Sequence, residues 1–257
     1  MKSNGLFRSL SAFIAWALIN TPIGAAEPKI VPGLVTTTPV TQNRDKAIYD
    51  WETRHAEVLK RNSAVQPEVV VFGDSIIHYW GGEPAAPKVW GGPAWSRCFE
   101  GWTVTNLGFG WDRTENVLWR IEHGELDGIH PKVVIIQIGT NNTAVDHSPG
   151  DIASGIEAVA ASVHQHLPAA HVLLLAVLTR RDEKPERPSI TQKVNLDLAQ
   201  RISGVPWLTF RDFGDQFRFP DGSPNPALFA DGVHVNAAGY EVLGANIRRE
   251  VQALMQQ

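Results

Sequence analysis

The sequence predicts an α/β domain, a three-layer α/β/α sandwich built around a parallel sheet. Three observations lead there: short β-branched runs that are apolar at every position, stretches between them with helical apolar spacing, and glycine-rich or polar turns after the runs. A continuously apolar run suits a strand buried on both faces, which a parallel sheet covered by helices requires. The 257 residues can enclose one large core, and no internal repeat or long linker divides them.

Taken in order, the chain opens with Lys2 and Arg8, an apolar run over 10–19, and the small residues Gly24, Ala25 and Ala26 before Glu27. That pattern is a secretory signal over residues 1–26, which places the mature protein in the periplasm or outside the cell. The run is short for a membrane span, so an uncleaved anchor is the lesser alternative and no span is expected in the mature chain. Residues 27–43, rich in Pro, Thr and Val, read as an extended lead-in, and 44–257 as the folded domain. Over 45–61, Ile48, Trp51, His55, Val58 and Leu59 recur at helical spacing. Strands are expected at 69–72, 104–107, 133–138, 172–178 and 205–210, with helices at 114–123, 151–167, 190–203 and 237–255.

Composition removes several functions. Lys and Arg number 23 against 27 Asp and Glu, a net charge of −4, so no basic excess exists to track nucleic acid. The single Cys98 excludes an intrachain disulfide framework and a cysteine-rich metal site; it reads as a small buried hydrophobe before a reactive thiol. His164 and His166, two apart on a helix, face different ways, and with His171 read as surface residues and not metal ligands. The run Arg180–Lys184 reads as a solvated loop, though it follows a strand end where substrate could touch it.

In open parallel sheets ligands bind beyond the carboxyl ends of the strands, and four segments lie there. Gly73-Asp74-Ser75 follows the first strand and would present a serine hydroxyl at a tight turn. It lacks the second glycine of the G-x-S-x-G elbow, because Ile77 holds that position. Asp231-Gly232-Val233-His234 precedes the last helix; Asp231, on a loop eased by Gly232, could orient His234 as a base for Ser75. The turn Gly108-Phe109-Gly110-Trp111-Asp112 and the segment Gly139-Thr140-Asn141-Asn142 could supply donors for an oxyanion. Read singly, each has a structural explanation as well: a surface turn, a helix-entry loop, a glycine turn, a capping asparagine.

Together, in this order and spacing, the four blocks resemble the SGNH, or GDSL, hydrolases. The segment from Val117-Leu118-Trp119-Arg120 through Gly124-Glu125-Leu126 and Pro131-Lys132-Val133 resembles the branch holding the catalytic subunits of platelet-activating-factor acetylhydrolase. The resemblance runs from about Ile48 to Leu254 and implies a five-stranded parallel sheet of flavodoxin-like order, with no metal and no organic cofactor. It implies Ser75 as nucleophile, His234 as base and then acid, and Asp231 as its orienting carboxylate. It also implies Asn141 and the Ser75 N–H as oxyanion donors. The family's second block usually has glycine before the aspartate, where this chain has Trp111; a bulky residue there is strained if φ is positive, so Gly110 is a second candidate for the main-chain donor.

The expected activity is hydrolysis of short-chain, acetyl esters through an acyl-serine, most naturally O-acetyl groups on carbohydrate. Lipid-type esters and thioesters are enzymatic alternatives, and a non-catalytic glycan-binding protein on the same fold is the competing class. Trp80, Trp90 and Trp95, in a Gly/Pro-rich insertion after Ser75, are candidates for stacking on sugar rings, although large aromatics more commonly pack inside. His78 is open to either a pocket or a structural role. Oligomeric state is not encoded in any of these features.

Overall fold

The computed structural model describes residues 33–181 and 189–257. The expected signal segment 1–26, the first part of the lead-in and all but the start of the Arg180–Lys184 run therefore lie outside the described residues.

Five strands form one fully parallel sheet: β1 Val69–Gly73, β2 Val104–Gly108, β3 Val133–Gln137, β4 His171–Leu175 and β5 Leu208–Arg211. Their spatial order is β2-β1-β3-β4-β5. Val69 stands opposite both Val104 and Val133, Val133 opposite His171, and Val172 opposite Leu208. Among the described residues seven α-helices pack on the sheet: α1 Trp51–Val65, α2 Ser75–His78, α3 Gly92–Cys98, α4 Thr114–Arg120, α5 Pro149–His166, α6 Ile190–Arg201 and α7 Ala237–Leu254.

Strand alternation divides the core in two. Val70, Phe72, Val134, Ile136, Val172 and Leu174 meet Val58 of α1, Val117 of α4, Ile156 of α5 and Val194 of α6. Their neighbours Val69, Val71, Val133, Ile135, Leu173 and Leu175 face the other way, onto Ile76 of α2, Trp95 of α3 and Leu243 of α7. Both faces are apolar because both are covered, which is why the sequence shows runs and no alternation. Each side chain so buried contributes roughly 1.5–3 kcal/mol.

Element ends depart from expectation for local reasons. The first helix begins at Trp51 and not near residue 45, because Asp50 caps it by accepting the Thr53 N–H at 2.7 Å. The fourth strand stops at Leu175: Val177 turns its N–H and C=O to the Asn195 side chain of α6, both at 2.9 Å. The fifth starts three residues late, since the Leu208 N–H closes a turn back onto Val205. Helix α4 ends at Arg120 in a wide turn, Ile121–Glu125, where Gly124 has φ +94°. Among its described residues the lead-in carries a 3-10 turn, Val35–Thr37, and Thr36 and Gln42 are buried against the domain.

The order β2-β1-β3 reverses direction between β1 and β3, so a crevice opens at their carboxyl ends. The Ser75 turn follows β1 and the Gly139–Asn142 segment follows β3, and the Gly108–Asp112 turn follows β2 at the same end of the sheet.

Candidate active site

Ser75 is set by a close approach of backbones. A side chain at Gly73 would meet Ile77 and the Gln137 carbonyl, and one at Gly108 would meet the His78 N–H at 2.3 Å. These two glycines let the short helix α2 sit directly on the ends of β1 and β2. Asp74 caps α2 through the Ile76 N–H at 2.9 Å, and burial pushes its carboxyl up to about 6. Asn106 of β2 then binds the Ile77 and Gly81 carbonyls at 2.8 and 2.7 Å, holding the far end of the turn.

His234 arrives from the other end of the chain. A bridge between Phe229 and Val235 closes its loop, and Asn236 caps α7 immediately after it. Asp231 Oδ1 accepts the Val233 and His234 N–H groups at 2.7 and 2.8 Å. The loop is thus pinned by Asp231 itself, and Gly232 lies outside the left-handed region. Partial burial pushes the Asp231 carboxyl up, but those N–H groups and the His234 ring outweigh it and hold it below the usual range.

These parts meet. Ser75 Oγ lies 2.8 Å from His234 Nε2, and His234 Nδ1 lies 2.8 Å from Asp231 Oδ2. An imidazole with a carboxylate on one nitrogen and a hydroxyl on the other can take the hydroxyl proton and bear the resulting charge. The Trp90 ring stands edge-on to the imidazole at 5.2 Å between centroids. Ser75 and His234 open onto a cavity of about 490 Å³ whose walls include Trp90, Trp111, Tyr79, Asn141, Lys88 and Arg180.

The donors expected around an oxyanion separate on inspection. Asn141 lines the cavity and anchors one side-chain N–H on the Asp112 carbonyl at 2.9 Å, leaving its second N–H. Trp111 has φ +64°, the strained case, at a cost of roughly 1–2 kcal/mol for a residue with a side chain. Gly110 is corrected as a donor: its N–H goes to His78 Nδ1 at 3.1 Å. The Asp112 N–H goes to Phe109, so Trp111 holds the one N–H of Gly110–Asp112 without an acceptor among the described residues. His78 is accordingly structural, and burial, aided by the Arg54 and Arg120 charges, pushes its imidazole down to about 2.

Two of the three expected stacking tryptophans are also corrected. Trp80 is fully buried, stacked on Tyr240 at 5.6 Å, and Trp95 is 7% exposed, packed edge-on to Trp80 and covered by Gly82. Their insertion folds into α3 and docks against α7. Trp90 does line the cavity, and Trp111, 48% exposed, joins it. Sequence reasoning missed Asp45 and Tyr79, whose hydroxyl donates to Asp45 at 2.9 Å on the cavity wall. The spacing of Tyr79, one helical turn after Ser75, was an available signal; its partner across 34 positions was not.

Beneath the Gly108–Asp112 turn lies a buried charge network. Arg120 binds Asp112 Oδ2 at 2.9 Å and Glu125, and Glu125 meets His55 at 3.0 Å. Trp51 Nε1 donates to Asp112 Oδ1 at 2.8 Å, and the Arg120 guanidinium lies over the Phe109 ring at 3.9 Å. The three histidines His164, His166 and His171 do not converge: they engage Trp207, the Ser162 carbonyl and Thr209 respectively. Cys98 is buried, which pushes its thiol pKa up. No helix among the described residues is long and apolar enough to cross a membrane.

The model of the GDSL-like Lipase/Acylhydrolase family matches residues 71–242. Over 190 residues the chain is 30% identical to platelet-activating factor acetylhydrolase IB subunit alpha1 of Pongo abelii, covering 74% of this chain and 78% of that protein. A GDSL-like lipase from Bacteroides thetaiotaomicron is similar in structure, with a TM-score of 0.59 and 21% identity over 77% of this chain and 97% of that one. So is Est24, a carbohydrate acetylesterase from Sinorhizobium meliloti, with a TM-score of 0.52 and 22% identity over 72% and 98%. At those identities the two structures bear on the fold alone.

Proposed function

We propose that this chain, which belongs to the GDSL-like lipase/acylhydrolase family and is a carboxylic ester hydrolase, removes O-acetyl groups from carbohydrate through an acyl-Ser75 intermediate. Ser75 Oγ attacks the ester carbonyl as His234 Nε2 takes its proton, and Asp231 steadies the imidazolium. The Ser75 N–H, the Trp111 N–H and Asn141 Nδ2 hold the oxyanion. Collapse of the tetrahedral adduct breaks the ester C–O bond, and His234 returns the proton to the departing alcohol oxygen. Water deprotonated by His234 then releases acetate and regenerates Ser75.

One observation carries the carbohydrate reading: the nucleophile opens onto a cavity of about 490 Å³ in which the Trp90 and Trp111 rings stand among Asp45, Lys88 and Arg180. Flat aromatic faces beside charged hydrogen-bonding groups suit the apolar C–H face and hydroxyl rim of a sugar. The acetyl group is supported by similarity to relatives named as acetylhydrolases. Those same names favour a second reading, in which the alcohol is lipid-like.

Initial rates on p-nitrophenyl esters of increasing chain length, acetylated xylan and acetylated cello-oligosaccharides test the proposal. We expect p-nitrophenyl acetate to lead its series and acetylated glycans to release acetate. Turnover confined to longer acyl chains, or to lipid-type esters, overturns the carbohydrate reading. Wild-type turnover by a folded Ser75→Ala variant overturns the mechanism, and no turnover by the wild-type protein favours a glycan-binding role. Export belongs to the same proposal: the mature N-terminus recovered from the producing cell should be Glu27.

A further inference from the structure

Trp111 and Gln66 are the two residues other than glycine with positive φ among the described residues, and Trp111 sits on the cavity wall. Its turn is held by side chains from a distant part of the chain. Arg44 Nη1 donates to the Trp111 carbonyl at 2.7 Å. Gln42 Nε2 donates to the Gly110 carbonyl at 3.0 Å and to Asp112 Oδ1 at 3.1 Å, and the Tyr49 hydroxyl reaches the same Gly110 carbonyl at 2.8 Å. Gln42, in the lead-in, and Arg44, just after it, are themselves coupled, since Gln42 Oε1 accepts the Arg44 N–H at 2.6 Å. Asn116 of α4 fixes them to the domain, accepting from Arg44 Nη1 at 3.2 Å and donating to the Val40 carbonyl at 2.8 Å.

The carbonyls on either side of the strained residue are therefore clamped, while its N–H is left without an acceptor among the described residues. We propose that Gln42 and Arg44 are positioning residues that hold Trp111 in its left-handed conformation, so that its N–H serves the oxyanion and its indole walls the substrate pocket. The lead-in is on this view part of the active site. A glycine at this position would take the conformation without steric penalty, whereas Trp111 requires the surrounding structure to impose it. The inference rests on the esterase reading above.

The test is kcat and KM on p-nitrophenyl acetate for Gln42→Ala, Arg44→Ala and Arg44→Lys, each alone and combined with Trp111→Gly. Displacing one of three oxyanion donors without deleting it should lower kcat about tenfold, less than the loss of a donor, with KM within about threefold. Arg44→Lys keeps a donor for the Trp111 carbonyl and should recover most of that loss. In the Trp111→Gly background, the same alanine substitutions should cost less than about threefold, because glycine no longer needs the clamp. Unchanged kcat in both alanine variants overturns the proposal, as does an equal loss with and without Trp111→Gly. Arg44 is exposed, so its variants should fold even where Gln42→Ala does not, and circular dichroism reports this. Labelling of Ser75 by a fluorophosphonate separates the failures. A labelled, active wild type with indifferent clamp variants sinks this inference alone; an unlabelled, inactive wild type sinks the esterase reading and this inference with it.

Discussion

Replacing Asn141 with alanine removes a side chain that has two duties. One N–H holds the Asp112 carbonyl at 2.9 Å, and the amide lines the cavity beside Ser75. A donor aimed at the developing oxyanion is worth about 2.7–4 kcal/mol in the transition state, so kcat should fall about 10²–10³-fold. The ground-state ester carbonyl is a weaker acceptor, so KM should move by no more than a few-fold. The lost bond to Asp112 costs about 1 kcal/mol, because the partly buried site still lets water replace the amide. For a domain of this size that lowers Tm by about 2–4 °C. Steady-state kinetics on p-nitrophenyl acetate with a parallel thermal melt measures all three. A variant that keeps kcat within about threefold while raising KM tenfold would refute the oxyanion role and mark Asn141 as a substrate-binding residue. A Tm drop above 10 °C would show that its main duty is structural.

Two further outcomes follow from the buried groups. His78, with an ordinary imidazole value of 6.5 when unfolded and about 2 when folded, contributes stability above 6.5 that is lost as pH falls, because only the unfolded chain takes up the proton. Between pH 7 and pH 5 that amounts to about 2 kcal/mol, so urea unfolding of the wild type should weaken by this much more than that of His78→Asn; parallel pH profiles would refute it. Arg120→Met leaves the fully buried Asp112 and Glu125 carboxylates uncompensated and should destabilise by about 3–5 kcal/mol, whereas breaking the exposed Arg97–Glu241 pair with Arg97→Ala should cost under about 1 kcal/mol. Equal denaturation midpoints for the two variants would contradict the burial argument.

The five strands could be read from their apolar runs because burial on both faces leaves a one-dimensional signature. The strand ends could not. Asn195, on a helix that follows β4 in sequence, decides where the ladder stops, and that contact has no local trace. Ser75, Asp231 and His234 were legible as motifs because each lies in a short block with a distinctive turn, although their meeting is a property of the sheet order. Trp80 and Trp95 read as exposed in the sequence for a physical reason. A Gly/Pro-rich stretch reads as an exposed insertion, yet Gly82 and Gly91 are there so that backbone can lie flat on the Trp95 and Tyr240 rings. Composition reported the close packing as looseness. The network of Asp112, Arg120 and Glu125 went unseen because charged residues usually signal surface, and only the fold shows them paired inside.

The Tyr240 hydroxyl binds the Ile76 carbonyl at 2.7 Å, six residues after His234 and one after Ser75. Trp80 stacks on the same tyrosine ring. Ser75 Oγ and His234 Nε2, though encoded 159 positions apart, thus stand on a shared plinth. Heat should accordingly silence this enzyme only when that plinth itself comes apart, so that inactivation and collapse of the tertiary near-ultraviolet spectrum coincide.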